Sequence, residues 1–336
     1  MGSIVFGPKV LSDNLTEIAG YKAGLAMSIE EICDHLTGTS FPDVVRDGET
    51  SGVRLRSEEY EDLYYNLLHR IGYTRELYLG PSVELARLFH RFKANAVELD
   101  FYMQVSATMS HFMRNGIPNG ESTTTDPSAI LGEIKRVFGS IGVKIAIEMY
   151  EIINRGIRMN PHCGIGNEWI NPLKLKGLFK GTDQQPEKGR FIDQRYIDYL
   201  SNNHDRIGEM QWRQFEKLTA EYYERDGYKV DLGPGSNDDG VDVRVWKPDA
   251  NPEDSPLCIV QCKRQKNKIE KVVVKGLHAD VQFERAEYGV IVTTSELSPG
   301  AKTTISARGY DIQTVERDGV KGWLTKLRTP GTGIVR

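Results

Sequence analysis

The stretch at residues 259–266, which reads IVQCKRQK, determines how the second half of this 336-residue chain is interpreted. It begins with apolar residues, which predict a buried strand, and it ends in Gln261 and Lys263 followed by further basic residues. Because strand side chains alternate between two faces, Gln261 and Lys263 are expected on the same face. A strand that begins as core and ends in a polar pair indicates a functional site at a sheet edge.

The sequence around this strand alternates between helical and extended patterns. A helix ends at Gly227, VDVRVW and LCIVQCK follow as strands, and YGVIVTT is a buried strand between two further helices. The complete order is α-β-β-β-α-β-α-β-α. It predicts an α/β sandwich with a mixed central sheet for residues 209–336.

The first part of the chain, in contrast, is predicted to be mostly helical. Apolar residues at helical spacing predict one long helix from about residue 81 to 114 and a second through residues 130–149. These stripes are expected to form the core of a helical bundle, or alternatively a face that pairs with a partner or a second copy. We therefore predict a helical regulatory, recognition or assembly domain at 1–190 and a linker helix at 191–208.

The composition is typical of a soluble globular protein, with 39% hydrophobic and 27% charged residues. No apolar run is long enough for a membrane helix, and the start of the chain lacks the pattern of a secretory signal. Four cysteines occur without a CxxC pair, so we expect buried free thiols rather than a zinc site. A reducing, cytoplasmic location and no membrane partner are the corresponding predictions.

The distribution of charge excludes a globally basic nucleic-acid binder but leaves a local basic patch. The net charge is −4 and falls in residues 1–204, whereas residues 205–336 are neutral. Within the neutral part, residues 263–275 are strongly enriched in Lys and Arg, a pattern that can follow a phosphate backbone. The candidate DNA contacts in this patch are Arg264, Lys266 and Lys268.

Two threonines lie beside the proposed sheet edge. Thr293 and Thr294, followed by Ser295, end the buried strand YGVIVTT. They are expected either to contact phosphate or, as the favoured interpretation, to cap the helix that begins near Ser298.

Side chains from three predicted elements can meet at one edge of the sheet. Asp242 begins a central strand, Gln261 and Lys263 end the next strand, and Glu216 lies on the preceding helix, which can pack across the sheet. Carboxylate and amide oxygens suit Mg²⁺, which promotes phosphodiester hydrolysis by acidifying water and offsetting phosphate charge. A neighbouring lysine can orient or deprotonate the attacking water and contact the phosphate.

These pieces resemble the Mrr-like restriction endonuclease branch of the PD-(D/E)XK nuclease superfamily. The matching segments are QFEKLTAEYYERDGYKV, NDDGVD, IVQCK and GVIVTTSELSPGAK, in this order. They span residues 209–327, roughly a third of the chain, and leave residues 1–190 uncovered. The branch has Gln before x-Lys, as in Gln261-Cys262-Lys263, and the resemblance implies a restriction-endonuclease-like fold.

The resemblance also implies roles for individual residues. Asp242 is the main metal ligand, and Gln261 and the backbone carbonyl of Cys262 assist it. Lys263 serves the water and Glu216 supports the metal site. One more acid, Asp238, matches the first acidic position of the DxGxD-like turn of the family, and Asp239 stands where the family often has glycine.

The implied function is a Mg²⁺-dependent DNA endonuclease, with Mn²⁺ as a possible substitute, in restriction or anti-phage defence. Cutting two strands takes two sites, so a homodimer or higher homo-oligomer is expected. One alternative is an effector nuclease that stays silent until a partner, a ligand or oligomerisation through the helical domain activates it. Another is a DNA-binding module that does not cleave. The sequence leaves open the target sequence, base modification and the preference for DNA over RNA.

Overall fold

The N-terminal half is helical, as the sequence predicts. The computed structural model describes residues 2–116, 127–162, 169–182, 184–235, 240–251 and 253–328, without the side chains of 112–116. The N-terminal helices are α1 (Val10–Ile18), α2 (Ile29–His35), α3 (Phe41–Thr50), α4 (Ser57–Arg70), α5 (Pro81–Phe92), α6 (Ala96–Gly116), α7 (Ser128–Met159), α8 (Lys176–Lys180) and α9 (Gln194–Asn202). A π-helical turn covers Ala19–Ala23 and a 3₁₀ turn covers His204–Glu209.

Two small sheets join distant parts of this half. Strand β1 (Ser3–Phe6) pairs antiparallel with β3 (Val53–Arg56), and β2 (Leu25–Ala26) pairs parallel with β4 (Leu173–Lys174). The second pair ties the start of the chain to the segment that precedes α9.

The single helix predicted for residues 81–114 is wrong, because the structure has two helices there. Helix α5 ends at Phe92 and α6 begins at Ala96. Between them, the side-chain oxygen of Asn95 accepts hydrogen bonds from the backbone N–H groups of Val97 (3.0 Å) and Glu98 (3.4 Å). Asparagine is a favoured N-cap residue, so it starts a new helix although the apolar spacing continues.

Helix α7 is interrupted at Gly139, whose φ of 66° and ψ of −160° are not helical. The apolar residues predicted to form one continuous face through 130–149 therefore do not all lie on the buried side. Ile134 and Ile145 are buried against α5 and α6, whereas Val137 and Ile141, on either side of the break, are exposed. Glycine adopts positive φ without the steric cost of a Cβ atom, which permits the break.

The C-terminal elements occur in the predicted order. They are α10 (Trp212–Arg225), β5 (Lys229–Leu232), β6 (Val243–Trp246), β7 (Cys258–Lys263), α11 (Lys271–Glu284), β8 (Tyr288–Thr293), α12 (Pro299–Arg308), β9 (Ile312–Val315) and α13 (Arg317–Leu327). The sheet has the order β5-β6-β7-β8-β9, antiparallel from β5 to β7 and parallel from β7 to β9. The predicted mixed sheet is confirmed.

Alternate side chains of the sheet enter two different cores. Val243, Val260 and Val292 belong to a cluster that includes Phe215 and Leu218 of α10. On the other face, Ile259 and Ile291 pack with α11 and α12. Strand β7 is thus covered on both faces before it reaches its polar end.

The first of these cores continues into the N-terminal half. It runs from Phe6 to Leu327 and includes α9, which was predicted as a linker helix. Every residue of α9 from Gln194 to Leu200 is buried. The domain boundaries at 190 and 208 remain a prediction. Because the hydrophobic core extends across both positions, a fragment cut at either of them would lose part of that core.

Two general predictions can be compared with the described part of the chain. Within it, no helix is both long and apolar enough to cross a membrane. Cys33 and Cys258 are buried free thiols there, as predicted, whereas the free thiol Cys262 is only half-buried and Cys163 lies outside the described residues.

Candidate active site

Asp242 connects the two central strands at the edge of the sheet. Its backbone N–H donates to the carbonyl of Val260 (3.0 Å), and its Oδ2 accepts from the backbone N–H of Cys262 (2.6 Å). The residue is only 8% exposed. A hydrogen bond from the backbone of β7 therefore fixes this carboxylate beside the C-terminal end of that strand.

Glu216 brings a second carboxylate to the same place. It lies on α10, is buried, and its Oε2 accepts from Nη1 of Arg213 at 2.8 Å. Burial raises the pKa of Glu216 to about 7; the Arg213 guanidinium opposes this rise and the neighbouring Asp242 carboxylate adds to it. A buried carboxyl whose pKa a second carboxylate raises marks a place where a cation is favoured.

Gln261 supplies an oxygen acceptor. Its Nε2 donates to the carbonyl of Gly240 at 2.9 Å. Its Oε1 is buried and has no hydrogen-bond partner within the described residues. Gly240 has φ +88°, and a Cβ added there would lie 3.2 Å from the Gln261 amide nitrogen, so the turn before Asp242 requires glycine.

These groups fit a hard divalent cation. The described residues contain no cluster of three or more His, Cys, Asp or Glu side chains that could hold a metal. Two carboxylates, Asp242 and Glu216, lie together here, and the neighbouring strand β7 carries the unpartnered amide oxygen of Gln261. The carbonyl of Cys262 is expected on their side, because N–H and C=O of a residue point the same way in an antiparallel ladder. Mg²⁺ binds few protein oxygens and keeps several waters, so this set suits it.

At the end of β7, successive side chains lie on opposite faces of the sheet, as the alternation of strand residues predicts. The Cys262 thiol lies 3.4 Å from the Thr219 hydroxyl on α10, so Gln261 and Lys263 belong to the opposite face, that of Ile259. Lys263 is half-buried at the last position of the strand. The structure thus joins Asp242 to Glu216 and to β7, and it places Lys263 at the end of that strand.

Hydroxyl groups at the end of β8 hold the basic loop that follows β7. Thr293 donates to the carbonyl of Lys263 (2.8 Å), Thr294 to that of Gln265 (3.2 Å) and Ser295 to that of Lys266 (3.2 Å). The helix-cap interpretation of these residues is therefore wrong, since Ser298 itself caps α12 by accepting from the Ala301 N–H (3.2 Å). Their hydroxyls support the loop instead.

The candidate DNA contacts are on this loop. Arg264 and Lys266 are exposed, and Arg264 makes one long hydrogen bond to the carbonyl of Gly208 (3.4 Å). Lys268 is exposed and pairs with Glu296 at 3.3 Å, a surface contact of small energetic value. Asp238 lies outside the described residues.

Two residues that shape the site were not predicted from the sequence. Arg213 holds Glu216, and its spacing of three residues along a helix was the available signal. Gly240 holds Gln261 through its backbone carbonyl, a contact across 21 positions that no local pattern reveals.

A five-stranded mixed sheet with carboxylates at the end of a central strand is consistent with a restriction-endonuclease-like domain. Residues 207–324 match the Mrr catalytic family, described as restriction endonuclease. This match confirms the resemblance predicted from the sequence, and it lies in the C-terminal part, as expected.

One similar solved structure is that of "MspJI Restriction Endonuclease in Complex with 27-mer Oligonucleotide". The two proteins are 20% identical over 45% of this chain, with a TM-score of 0.28. The similarity covers 35% of the MspJI chain, and at this level it carries no functional argument. No curated protein matches the sequence.

Proposed function

We propose that this chain is a Mg²⁺-dependent endonuclease that hydrolyses phosphodiester bonds of DNA and serves in restriction or antiviral defence. The observation that carries the proposal is the contact of Asp242 with Glu216 and with the backbone of Cys262, on the strand that also bears Gln261 and Lys263. The match of residues 207–324 to a restriction endonuclease family supports it. The free thiols Cys33 and Cys258 support a reducing, cytoplasmic location.

In this proposal, Asp242, Glu216, Gln261 Oε1 and the Cys262 carbonyl would hold Mg²⁺, with Mn²⁺ as a substitute. When bound, the cation supplies an acidified water and offsets charge on the scissile phosphate. Lys263 would deprotonate the attacking water as a neutral amine, or, as an ammonium, orient that water and contact the phosphate as a point charge. Arg213 keeps Glu216 in place and reduces the repulsion between the two carboxylates.

DNA would lie along the basic loop after β7. Arg264, Lys266 and Lys268 extend from that loop, and hydrogen bonds from β8 fix its backbone. Such contacts are sequence-independent and depend on salt. A homodimer or higher oligomer would supply the second site that a double-strand break takes.

A second candidate, an effector nuclease that needs activation, is favoured by one set of contacts. Glu221 lies five residues after Glu216 on α10, and its Oε2 accepts backbone N–H groups of Arg190 (2.9 Å) and Phe191 (2.7 Å). The segment before α9 is thus attached to the helix that carries Glu216. A ligand or partner bound to the helical half could act on the site through this attachment.

The test is cleavage of supercoiled plasmid with Mg²⁺ or Mn²⁺ and with EDTA. We expect metal-dependent nicking or linearisation by the wild type, loss of cleavage in Asp242→Asn, and normal cleavage in Asp249→Asn, which changes an exposed aspartate on a loop. Cleavage by Asp242→Asn at the wild-type rate contradicts the site. Metal binding without cleavage by the wild type favours the activated effector, whereas DNA binding that is indifferent to metal favours a non-cleaving module.

A further inference from the structure

A cavity of about 1100 Å³ lies where the helical half meets the last helix of the nuclease half. Its wall is formed by the loop after α4, by α7, by the residues that follow α9, and by the end of α13. The volume is sufficient for a ligand of the size of a drug molecule. It shares no residue with the proposed active site.

The cavity collects buried polar atoms that lack partners. Thr74 Oγ1, Tyr78 OH, Glu84 Oε2 and His204 Nε2 all line it, and none has a hydrogen-bond partner among the described residues. Tyr78 is 92% buried, since its exposure is 8%. Buried polar groups are rarely left unpaired, so this concentration indicates a bound molecule with hydrogen-bonding groups of its own.

Arginines give the cavity a preference for anions. Arg75 and Arg158 are exposed residues of its lining and form no ion pair in the part of the chain that the structure describes. Arg328 contributes a third cation: burial lowers its pKa, the charge of Asp198 opposes this, and the nearby charge of Arg75 adds to it. Four arginines and three glutamates line the cavity, and Arg75 and Arg158, which have no carboxylate partner in the described ranges, can form strong paired hydrogen bonds with a phosphate.

Other residues that line the cavity indicate further chemical groups on the ligand, besides an anionic group. Glu84 uses Oε1 to pair with Arg155 at 2.9 Å, and its Oε2 can only accept, so the ligand must offer a hydroxyl or amine donor there. Tyr73, Tyr78 and Tyr150 place aromatic rings along the same cavity, which suits a flat ring. An anionic group, a hydrogen-bond donor and a flat ring are together the features of a nucleotide.

We propose that this cavity is a nucleotide-binding site, separate from the nuclease site. The phosphate lies against Arg75 and Arg158, a sugar hydroxyl or a base amine donates to Glu84, and the base lies among the tyrosines. The proposal does not depend on the nuclease activity.

The test is isothermal titration calorimetry of the full chain in EDTA with the four 5′-ribonucleoside monophosphates, with adenosine, and with inorganic phosphate. We expect at least one nucleotide to bind about ten-fold or more tightly than either adenosine or phosphate, because the two halves of the ligand have separate contacts. Arg158→Gln is expected to weaken that binding about ten-fold or more, the effect of losing a charge-assisted hydrogen bond. Arg136→Gln, on the same helix but outside the cavity, should leave it unchanged.

A second variant separates binding from folding. Tyr78→Phe removes only a hydroxyl that has no partner in the described structure, so the melting temperature of the ligand-free protein should not fall while nucleotide binding weakens. Failure of every nucleotide to bind more tightly than phosphate overturns the proposal. So does binding that both variants leave intact, because the nucleotide would then lie elsewhere, as on the nuclease site.

Discussion

At the scale of the residue, the parts of the site that follow from local rules were predictable. The period of two along β7 places Gln261 and Lys263 on one face, and the family resemblance assigned Asp242. What could not be predicted depends on contacts between distant segments. The burial of Glu216 and the hydrogen bond that orients Gln261 through Gly240 exist only once α10 and the turn before β6 have packed together.

The raised pKa of Glu216 predicts how stability depends on pH in the metal-free protein. A carboxyl whose folded pKa is raised contributes stability that is full below its unfolded pKa and is lost as pH rises through the folded value, here about 7. Glu216→Gln, which mimics the protonated acid, should therefore match the wild type at about pH 4, below the unfolded pKa. Near pH 8 in EDTA it should be more stable by on the order of 2 kcal/mol.

The measurement is urea unfolding of both proteins at several pH values, with Glu133→Gln, an exposed residue of α7, as the control. Added Mg²⁺ or Mn²⁺ should reverse the order at pH 8, because only the wild type gains the carboxylate as a ligand. A stability difference that is independent of pH would show that Glu216 is not the buried titrating group described here.

At the scale of the element, the two long apolar stripes show why helix existence was predictable and helix bounds were not. The spacing of apolar residues continues across Asn95 and Gly139, so periodicity alone predicts unbroken helices. A side-chain cap at Asn95 and a left-handed φ at Gly139 end them instead. The Asn95 cap and the Gly139 conformation are both local, but neither depends on hydrophobicity. The helix prediction used only the spacing of hydrophobic residues, so it could not detect them.

The contact between β8 and the loop after β7 predicts a positioning effect. Thr293 is fully buried and donates to the carbonyl of Lys263 at 2.8 Å. Thr293→Val keeps the shape of the side chain but frees the strand end, so cleavage should fall about 10- to 100-fold, as expected for a small misplacement of a catalytic group. The cost in stability should be only about 1 kcal/mol.

Single-turnover cleavage and DNA affinity are the two measurements for this variant. If Thr293 acts only by positioning Lys263, the rate should fall while affinity for uncut DNA in Ca²⁺ changes little. Thr303→Val, an exposed position of α12, serves as the control. An unchanged rate would show that the loop holds its shape without this hydrogen bond.

At the scale of the whole molecule, the hydrophobic core extends across the domain boundaries predicted at 190 and 208. Gln194 of α9 donates to the carbonyl of Leu327 at the end of α13 (3.2 Å), and the buried Glu221 of α10 accepts from the segment before α9. Composition and linker patterns describe one segment at a time and do not reveal such packing. We propose that the nuclease unit begins before α9.

Two fragments test this boundary. Residues 184–336 keep the partners of Glu221, whereas residues 209–336 leave that carboxylate buried without them. We expect the longer fragment to unfold cooperatively at a higher urea midpoint than the shorter one, which should be poorly stable or aggregate. Equal midpoints would instead support a boundary at 208.

The most direct measurement of the central claim compares wild type and Lys263→Ala in the cleavage of supercoiled plasmid with Mg²⁺. We expect metal-dependent cleavage by the wild type and a rate reduced about 10²–10⁴-fold in the variant, as for removal of a group that serves proton transfer. Lys144→Ala, an exposed residue of α7, should cleave normally, and all three proteins should unfold at similar temperatures. Cleavage by Lys263→Ala at the wild-type rate would contradict the assignment of this strand end as the active site.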